Sequence, residues 1–138
     1  MIFCNDEDDL DVLPATLEFI SKSDIDIPWP GLSTPNPGTP LYNRLLSEER
    51  LLFTHYPDDW DRYISTITFK PKNYDSQVFY DAYIKFIRNL FSNYNILKRS
   101  LRTFYYSKSI FKTLITFNFN QSLRRKYEEG YLPPNQVQ

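Results

Sequence analysis

Apolar side chains recur at helical spacing through the second half of the chain. The series is Phe79, Tyr83, Phe86, Leu90, Tyr94, Leu97, Leu101 and Phe104, at intervals of three or four residues. Because an α-helix turns about once every 3.6 residues, this series predicts one long amphipathic helix over about residues 76–106, with its apolar side facing a core. Asp75 or Ser76 is a suitable N-cap. Asparagine is a poor helix former, so a break near 93–95 stays open.

The opposite side of this predicted helix is polar and basic. It carries Lys85, Arg88, Ser92, Asn95, Arg99 and Arg102, again at intervals of three or four residues. The pattern therefore predicts a helix with one core side and one outward cationic side.

Weaker patterns predict two or three shorter helices. One covers about residues 15–21, where a strand is the alternative. A second begins at Pro40 with Thr39 as its N-cap and extends to about residue 53. A third covers about residues 121–129, with Gly130 placed to end it.

Two segments alternate apolar and polar residues with the period of a strand. They cover residues 62–69 and 113–120, and they could form an antiparallel pair. In the second segment a helix through Phe111, Leu114 and Ile115 competes with the strand. The predicted fold class is therefore mainly α, with at most a small two-stranded β element.

The N-terminal 40 residues predict an extended arm. Residues 1–11 are strongly acidic, and residues 27–40 contain five of the ten prolines of the chain. The Pro-rich part is interpreted either as a linker or as a docking segment in which Trp29 fills a pocket on a partner. The predicted domains are this arm, 1–40, and one small helical domain, 41–138.

The net charge of −1 conceals two opposite halves. Residues 1–75 contain 6 basic and 14 acidic side chains, giving −8, and residues 76–138 contain 10 and 3, giving +7, which sum to −1. The halves either neutralise each other or face partners of opposite sign. The low isoelectric point of about 5.8 favours self-neutralisation or a protein partner over nucleic acid.

Contact with RNA or a partner is predicted for the basic side chains of residues 85–126, with docking predicted for Trp29. The basic candidates are Lys85, Arg88, Arg99, Arg102, Arg124, Arg125 and Lys126. Lysine and arginine bind phosphates, while neighbouring exposed aromatic rings can stack on unpaired bases.

The pattern contains no recognisable catalytic motif. His55 is the single histidine and lacks a nucleophile and an orienting partner at a recognisable spacing. Asp58, Asp59 and Asp61 lack the glycine and terminal glutamate of a calcium loop. Cys4, the single cysteine, lies among acids that disfavour its thiolate. The sequence thus predicts no enzyme activity, no cofactor and no metal.

These observations predict a non-catalytic structural subunit of a large assembly. The abundance of residues with A/T-rich codons suggests an A/T-rich genome, that of an organelle, a ciliate or other protist, or a virus. If the protein is organellar, the acidic start, which is unlike a presequence, predicts that it is organelle-encoded. A mitochondrial ribosome, with the basic helix facing rRNA or neighbouring subunits, is the first prediction. A soluble accessory subunit of a mitochondrial respiratory complex and a viral or phage interaction protein are the alternatives. The predicted location is the mitochondrial matrix side, or otherwise the cytoplasm, and no membrane-spanning segment is expected.

Overall fold

The computed structural model describes residues 1–54 and 66–130. Within them the chain forms five helices and one two-stranded parallel sheet, which confirms the predicted mainly α fold class. The elements are β1 (Ile2–Phe3), α1 (Val12–Lys22), β2 (Gly31–Leu32), α2 (Pro40–Ser47), α3 (Ser76–Leu90), α4 (Asn93–Ser107) and α5 (Ile110–Gly130). Among the described helices, none has the length and apolarity needed to cross a membrane.

The described residues group into two compact units. The first unit comprises residues 1–10, 30–54 and 66–82, and the second comprises residues 11–29 and 83–130. The division of the chain therefore follows spatial packing, because each unit combines segments that are distant in sequence.

In the first unit, the start of the chain pairs with the Pro-rich segment. Ile2 pairs with Gly31 and Phe3 with Leu32 in the parallel sheet, where the Ser33 N–H donates to the Phe3 carbonyl at 2.7 Å. Phe3 and the following Cys4 are buried. Two apolar side chains thus anchor the otherwise acidic start of the chain.

Helix α2 begins where the sequence predicts and ends earlier. The hydroxyl of Thr39 accepts a hydrogen bond from the Tyr42 N–H at 3.3 Å, and Pro40 occupies the first turn. The helix ends at Ser47, whereas the prediction extended it to about residue 53. Glu49 has a left-handed backbone with φ of 53°, which an α-helix does not accommodate.

The predicted strand pair is wrong where the structure describes it. Residues 113–120 lie inside α5, so the competing helix is the correct alternative. Of the predicted partner strand, residues 62–65 lie outside the described residues, and residues 66–69 make one antiparallel bridge between Phe69 and Leu51. The apolar residues of 114–119 also fit a helix, because an alternation over so few residues does not distinguish a strand from a helix.

The long predicted helix is divided into α3 and α4 by Phe91 and Ser92. Ser92 is extended, with φ of −61° and ψ of 153°, and its hydroxyl accepts from the Asn95 N–H at 3.4 Å. The Asn95 side-chain amide donates to the Asn89 carbonyl at 2.7 Å. These polar side chains bond to the backbone groups that the break leaves open, which favours a new helix start over continuation.

The apolar series faces a core in α3 but not in α4. Phe79, Tyr83, Phe86 and Leu90 are buried. Tyr94, Leu97, Leu101 and Phe104 are instead 73%, 53%, 58% and 43% exposed. The break after Leu90 changes the helix axis and register, so the core side of α4 is a different one. The prediction of a continuous core side is therefore wrong for α4.

Candidate functional site

Helices α4 and α5 pack through a mainly polar seam in the second unit. The buried polar residues of the seam are Arg99, Ser100, Thr103, Thr116 and Asn120. They recur at intervals of one, three or four residues on each helix, which places them on one side of it. The Thr103 and Thr116 hydroxyls lie 3.4 Å apart. Sequence reasoning missed this seam because it assigned every core position to an apolar residue.

Arg99 and Asn120 form the centre of the seam. The Arg99 guanidinium donates through Nε and Nη2 to the Asn120 Oδ1, at 3.1 and 2.9 Å, and through Nη2 to the Leu90 carbonyl at 2.9 Å. The Asn120 Nδ2 donates in turn to the carbonyls of Asp26 and Thr116, at 3.0 and 2.7 Å. Asn120 therefore connects the arginine to two further backbone segments.

Arg99 carries its charge in a buried position without a paired carboxylate among the described residues. Its residue is only 6% exposed, and its partners are an amide, a carbonyl and the Phe91 ring at 5.7 Å. Burial, followed by the nearby Arg102 charge, lowers the pKa of Arg99 to about 10, against the opposing effect of Asp26. Arg99 is therefore a buried cation. Its hydrogen-bond partners are neutral and do not compensate its charge.

A cavity of about 390 Å³ lies beside this arginine, within the second unit. Its apolar lining comes from Pro14, Leu17, Ile20 and Leu90, and its basic lining comes from Lys98, Arg99 and Arg102. Glu18 is the acidic side chain of the lining, and it pairs with Lys22. The volume is within the range of small-molecule sites in proteins.

The other predicted contact residues do not form one cationic surface. Lys85, Arg88 and Arg125 are exposed. Arg102 is paired with Asp24 at 3.6 Å and with Asp26 at 3.3 Å, so acids from the first half of the chain do neutralise part of the basic helix. Arg99 is buried, so its prediction as an outward-facing residue is wrong. The predicted basic residues are divided in this way because α4 buries part of the side that the sequence assigned to solvent.

Near the end of α5 the basic side chains have partners within the second unit. Arg124 donates to Glu128 at 2.9 Å and to Asn93 at 2.7 Å. The Lys126 ammonium lies 5.5 Å from the centre of the Trp29 ring, which is 6.2 Å from the Phe119 ring. Trp29 is 55% exposed and lies against α5 of its own chain. Docking of Trp29 on a partner stays a prediction.

The outer faces of α4 and α5 expose many large apolar side chains. We define the α4 outer face as Tyr94, Leu97, Leu101 and Phe104, and the α5 outer face as Phe111, Leu114 and Ile115. Phe111 and Leu114 are 73% and 53% exposed. Helical spacing places both sets away from the polar seam. Exposed apolar patches on a protein surface are typical of interaction sites.

Candidate metal and nucleophile chemistry is sparse in the described residues. They contain no group of three histidine, cysteine or acidic side chains placed to hold a metal ion. His55, Asp58, Asp59 and Asp61 lie outside the described residues. Cys4 is buried, and its burial raises the pKa of the thiol to about 12, against a hydrogen bond with Tyr74 that lowers it.

We expect the Cys4 thiol to resist modification in the folded protein. At pH 8 a group with a pKa of about 12 is almost entirely protonated, and only the thiolate reacts. Labelling with a chromogenic disulfide reagent should be at least about 100-fold slower than in urea-unfolded protein. The variant Cys4→Ser, which lacks the thiol, gives the background signal of the reagent. Complete labelling of native protein within seconds would contradict the buried site.

Comparison with known families matches residues 39–127, more than half of the chain, to the family described as "Domain of unknown function (DUF4070)". The chain belongs to the DUF4070 family. The match includes α2 to α4, most of α5 and both of the central seam residues, Arg99 and Asn120. It excludes β1, α1 and β2.

This DUF4070 chain is also similar to a curated enzyme. It is 32% identical over 99 residues to a bacteriochlorophyllide d C-12(1)-methyltransferase from Chlorobaculum tepidum. The aligned region is 71% of the chain and 20% of that enzyme. The chain therefore spans about a fifth of the length of this relative. No solved structure matches the chain described here.

These findings overturn the predicted function. The predictions of a ribosomal subunit, a respiratory-complex subunit and a viral interaction protein are wrong, and so is the prediction of a non-catalytic protein without enzyme activity. The bacterial relative also contradicts an organelle-encoded mitochondrial protein. Part of the error came from taking Arg99, which is buried, and Arg102 and Arg124, which are paired, for members of a free cationic surface. Contact of the exposed basic residues with RNA stays a prediction.

Proposed function

We propose that this chain is a domain of a methyl-transferring enzyme, and that the outer faces of α4 and α5 pack against the larger part of that enzyme. The observation that supports this docking surface is the exposed apolar surface of the two helices. Similarity to a methyltransferase of about five times the aligned length supports the enzyme class.

The exposed side chains have the character of a domain core. Leu97, Leu101 and Phe104 on α4, and Phe111 and Leu114 on α5, are all more than two-fifths exposed. Burying one such side chain contributes about 1.5–3 kcal/mol, so several together are a strong driving force for association. The central positions of both outer faces are free of charged residues, which is typical of the core of a protein interface.

The length of the relative supports a partner for this surface. Four-fifths of the methyltransferase lies outside the region that aligns with this chain. A surface left open by the aligned fifth has a natural partner in the remaining polypeptide, whether it belongs to the same chain or to a separate one. Substrates of the class named for the relative, bacteriochlorophyllides, are the first candidates for methyl transfer.

Site-specific cross-linking tests the docking surface. We expect a photoreactive phenylalanine analogue at Leu101 or Leu114 to cross-link to the larger part of the enzyme, because both positions are buried in the proposed interface. The same analogue at the exposed Asp81 is the control and should give no such product. Peptide mass spectrometry identifies the cross-linked residues. A cross-link to a second copy of this chain, or none at all, would reject the proposed partner.

Activity tests the enzyme class. The double variant Leu101→Lys, Leu114→Lys should lower methyl transfer to bacteriochlorophyllide d by at least about 10-fold, since two charges in an apolar interface cost several kcal/mol. Its free energy of unfolding should stay within about 0.5 kcal/mol of the unmodified chain, because both sites are exposed. Substrate methylation is followed by mass spectrometry. Unchanged methylation with both lysines present would contradict the proposal.

A further inference from the structure

The cavity between α1, α3 and α4 combines an apolar lining with an excess of positive charge. Three cations and one carboxylate, Glu18, line it. Arg102 is already paired with Asp24 and Asp26, and Glu18 with Lys22. Lys98 and Arg99 are the lining cations without a carboxylate partner among the described residues.

Arg99 is prepared to receive an anion. Hydrogen bonds to Asn120 and to the Leu90 carbonyl hold the guanidinium through Nε and Nη2. The Nη1 donors have no hydrogen-bond partner among the described residues. A buried guanidinium with open donors is costly unless an anion completes it. Arginine also binds carboxylates with a well-defined geometry.

The rest of the lining determines the kind of molecule. Pro14, Leu17, Ile20 and Leu90 offer apolar contacts to a hydrocarbon body, beside the uncharged polar side chains of Ser21, Asn89 and Asn95. The two lining cations without a carboxylate partner among the described residues, together with the four apolar side chains, match a ligand with one charged end. We propose that this cavity binds an apolar small molecule through a carboxylate group held by Arg99 and Lys98. This inference is independent of the methyl-transfer proposal.

The matched probes decanoate and decanol separate charge from hydrophobicity. Both have the same carbon chain, and decanoate carries a carboxylate. By isothermal titration we expect the intact protein to bind decanoate at least about 10-fold more tightly than decanol, with an affinity that falls as salt rises. Equal binding of the two probes would reject the carboxylate contact. Absence of binding by either would reject the site.

Variants locate the binding. Lys98→Glu replaces an exposed cation of the cavity and should weaken decanoate binding at least fivefold without unfolding the protein. Lys112→Glu, which changes another exposed lysine, on α5 outside this cavity, is the matched control and should leave binding unchanged. Equal losses in the two variants would show a general charge effect and contradict the site.

Inorganic phosphate completes the test. It carries charge without an apolar body, so it should bind at least about 10-fold more weakly than decanoate. Phosphate binding as tight as that of decanoate would overturn the apolar part of the proposal. Direct evidence comes from the Arg99 Nε–H resonance, which should shift on addition of decanoate and stay unchanged with decanol.

Discussion

Replacing Asn120 with leucine should lower the free energy of unfolding by about 3 kcal/mol. The substitution removes the acceptor of two Arg99 hydrogen bonds and leaves the buried guanidinium with the Leu90 carbonyl alone. It also removes the donor to the Asp26 and Thr116 carbonyls. Loss of the partner of a buried charged group costs more than loss of an ordinary hydrogen bond. Urea unfolding followed by circular dichroism gives the value.

Two further variants make this prediction specific. Asn118→Leu changes an exposed asparagine of the same helix and should alter stability by less than about 0.5 kcal/mol. Arg99→Met combined with Asn120→Leu removes both the charge and its acceptor, so it should recover at least about 1 kcal/mol relative to the sum of the single changes. Strict additivity of the two single effects would show that the side chains are not coupled.

Arg50→Ala should lower the free energy of unfolding by about 3 kcal/mol, because it destabilises the first unit. The Arg50 side chain is 12% exposed and pairs with both carboxylate oxygens of Asp6. It also donates to Glu48 at 2.6 Å and to the Lys70 carbonyl at 2.8 Å. Its loss leaves Asp6 largely buried with Arg44 as its remaining ion-pair partner, at 3.1 Å. Chemical unfolding at neutral pH measures the change.

Arg44→Ala is the matched control, because Arg44 binds the same carboxylate from a side chain that is 53% exposed. An exposed pair contributes little, so this variant should lose less than about 1 kcal/mol. Equal losses for the two arginines would contradict the difference in burial on which the prediction depends.

The Arg50 effect should depend on pH in one direction. The hydrogen bond from Arg50 lowers the pKa of Asp6 below its usual value, against the effect of burial. A lowered carboxyl pKa contributes stability above the pKa of the unfolded chain, about 4, and this contribution is lost as pH falls through the folded value. The difference between the unmodified protein and Arg50→Ala should therefore narrow below about pH 4. A constant difference down to pH 2.5 would contradict the ion pair.

The similarity to an enzyme leaves no motif in the sequence, for a physical reason. The 138 residues contain a single histidine and a single cysteine, and their described part contains no group of three possible metal ligands. A domain that contributes surface and packing to a larger enzyme need not carry such a motif. Such a domain is instead marked by a helix side that is apolar but exposed. In the sequence, this side has the same pattern as a helix side that is buried in the domain's own core.

The residues of the proposed carboxylate site illustrate the same limit. Lys98 and Arg99 are neighbours in the basic segment 85–126, and the sequence predicts Arg99 as a contact residue. Their different roles follow from the fold, which buries the arginine beside Asn120 and leaves the lysine at the edge of the cavity. Polar residues at helical spacing on two neighbouring segments, such as Thr103 and Thr116, were the available signal for the seam.

By itself, the sequence determined the mainly helical class, the start of α2 at Thr39 and Pro40, and the apolar side of α3. Caps, proline positions and helical periodicity are local effects, and they act through neighbouring residues. Only the tertiary structure decided which side of α4 is buried, because the two-residue connection of Phe91 and Ser92, with Ser92 extended, sets the rotation of that helix. That rotation buries Arg99 against Asn120 and exposes Leu101, and it thereby creates both the carboxylate cavity and the apolar outer face of α4.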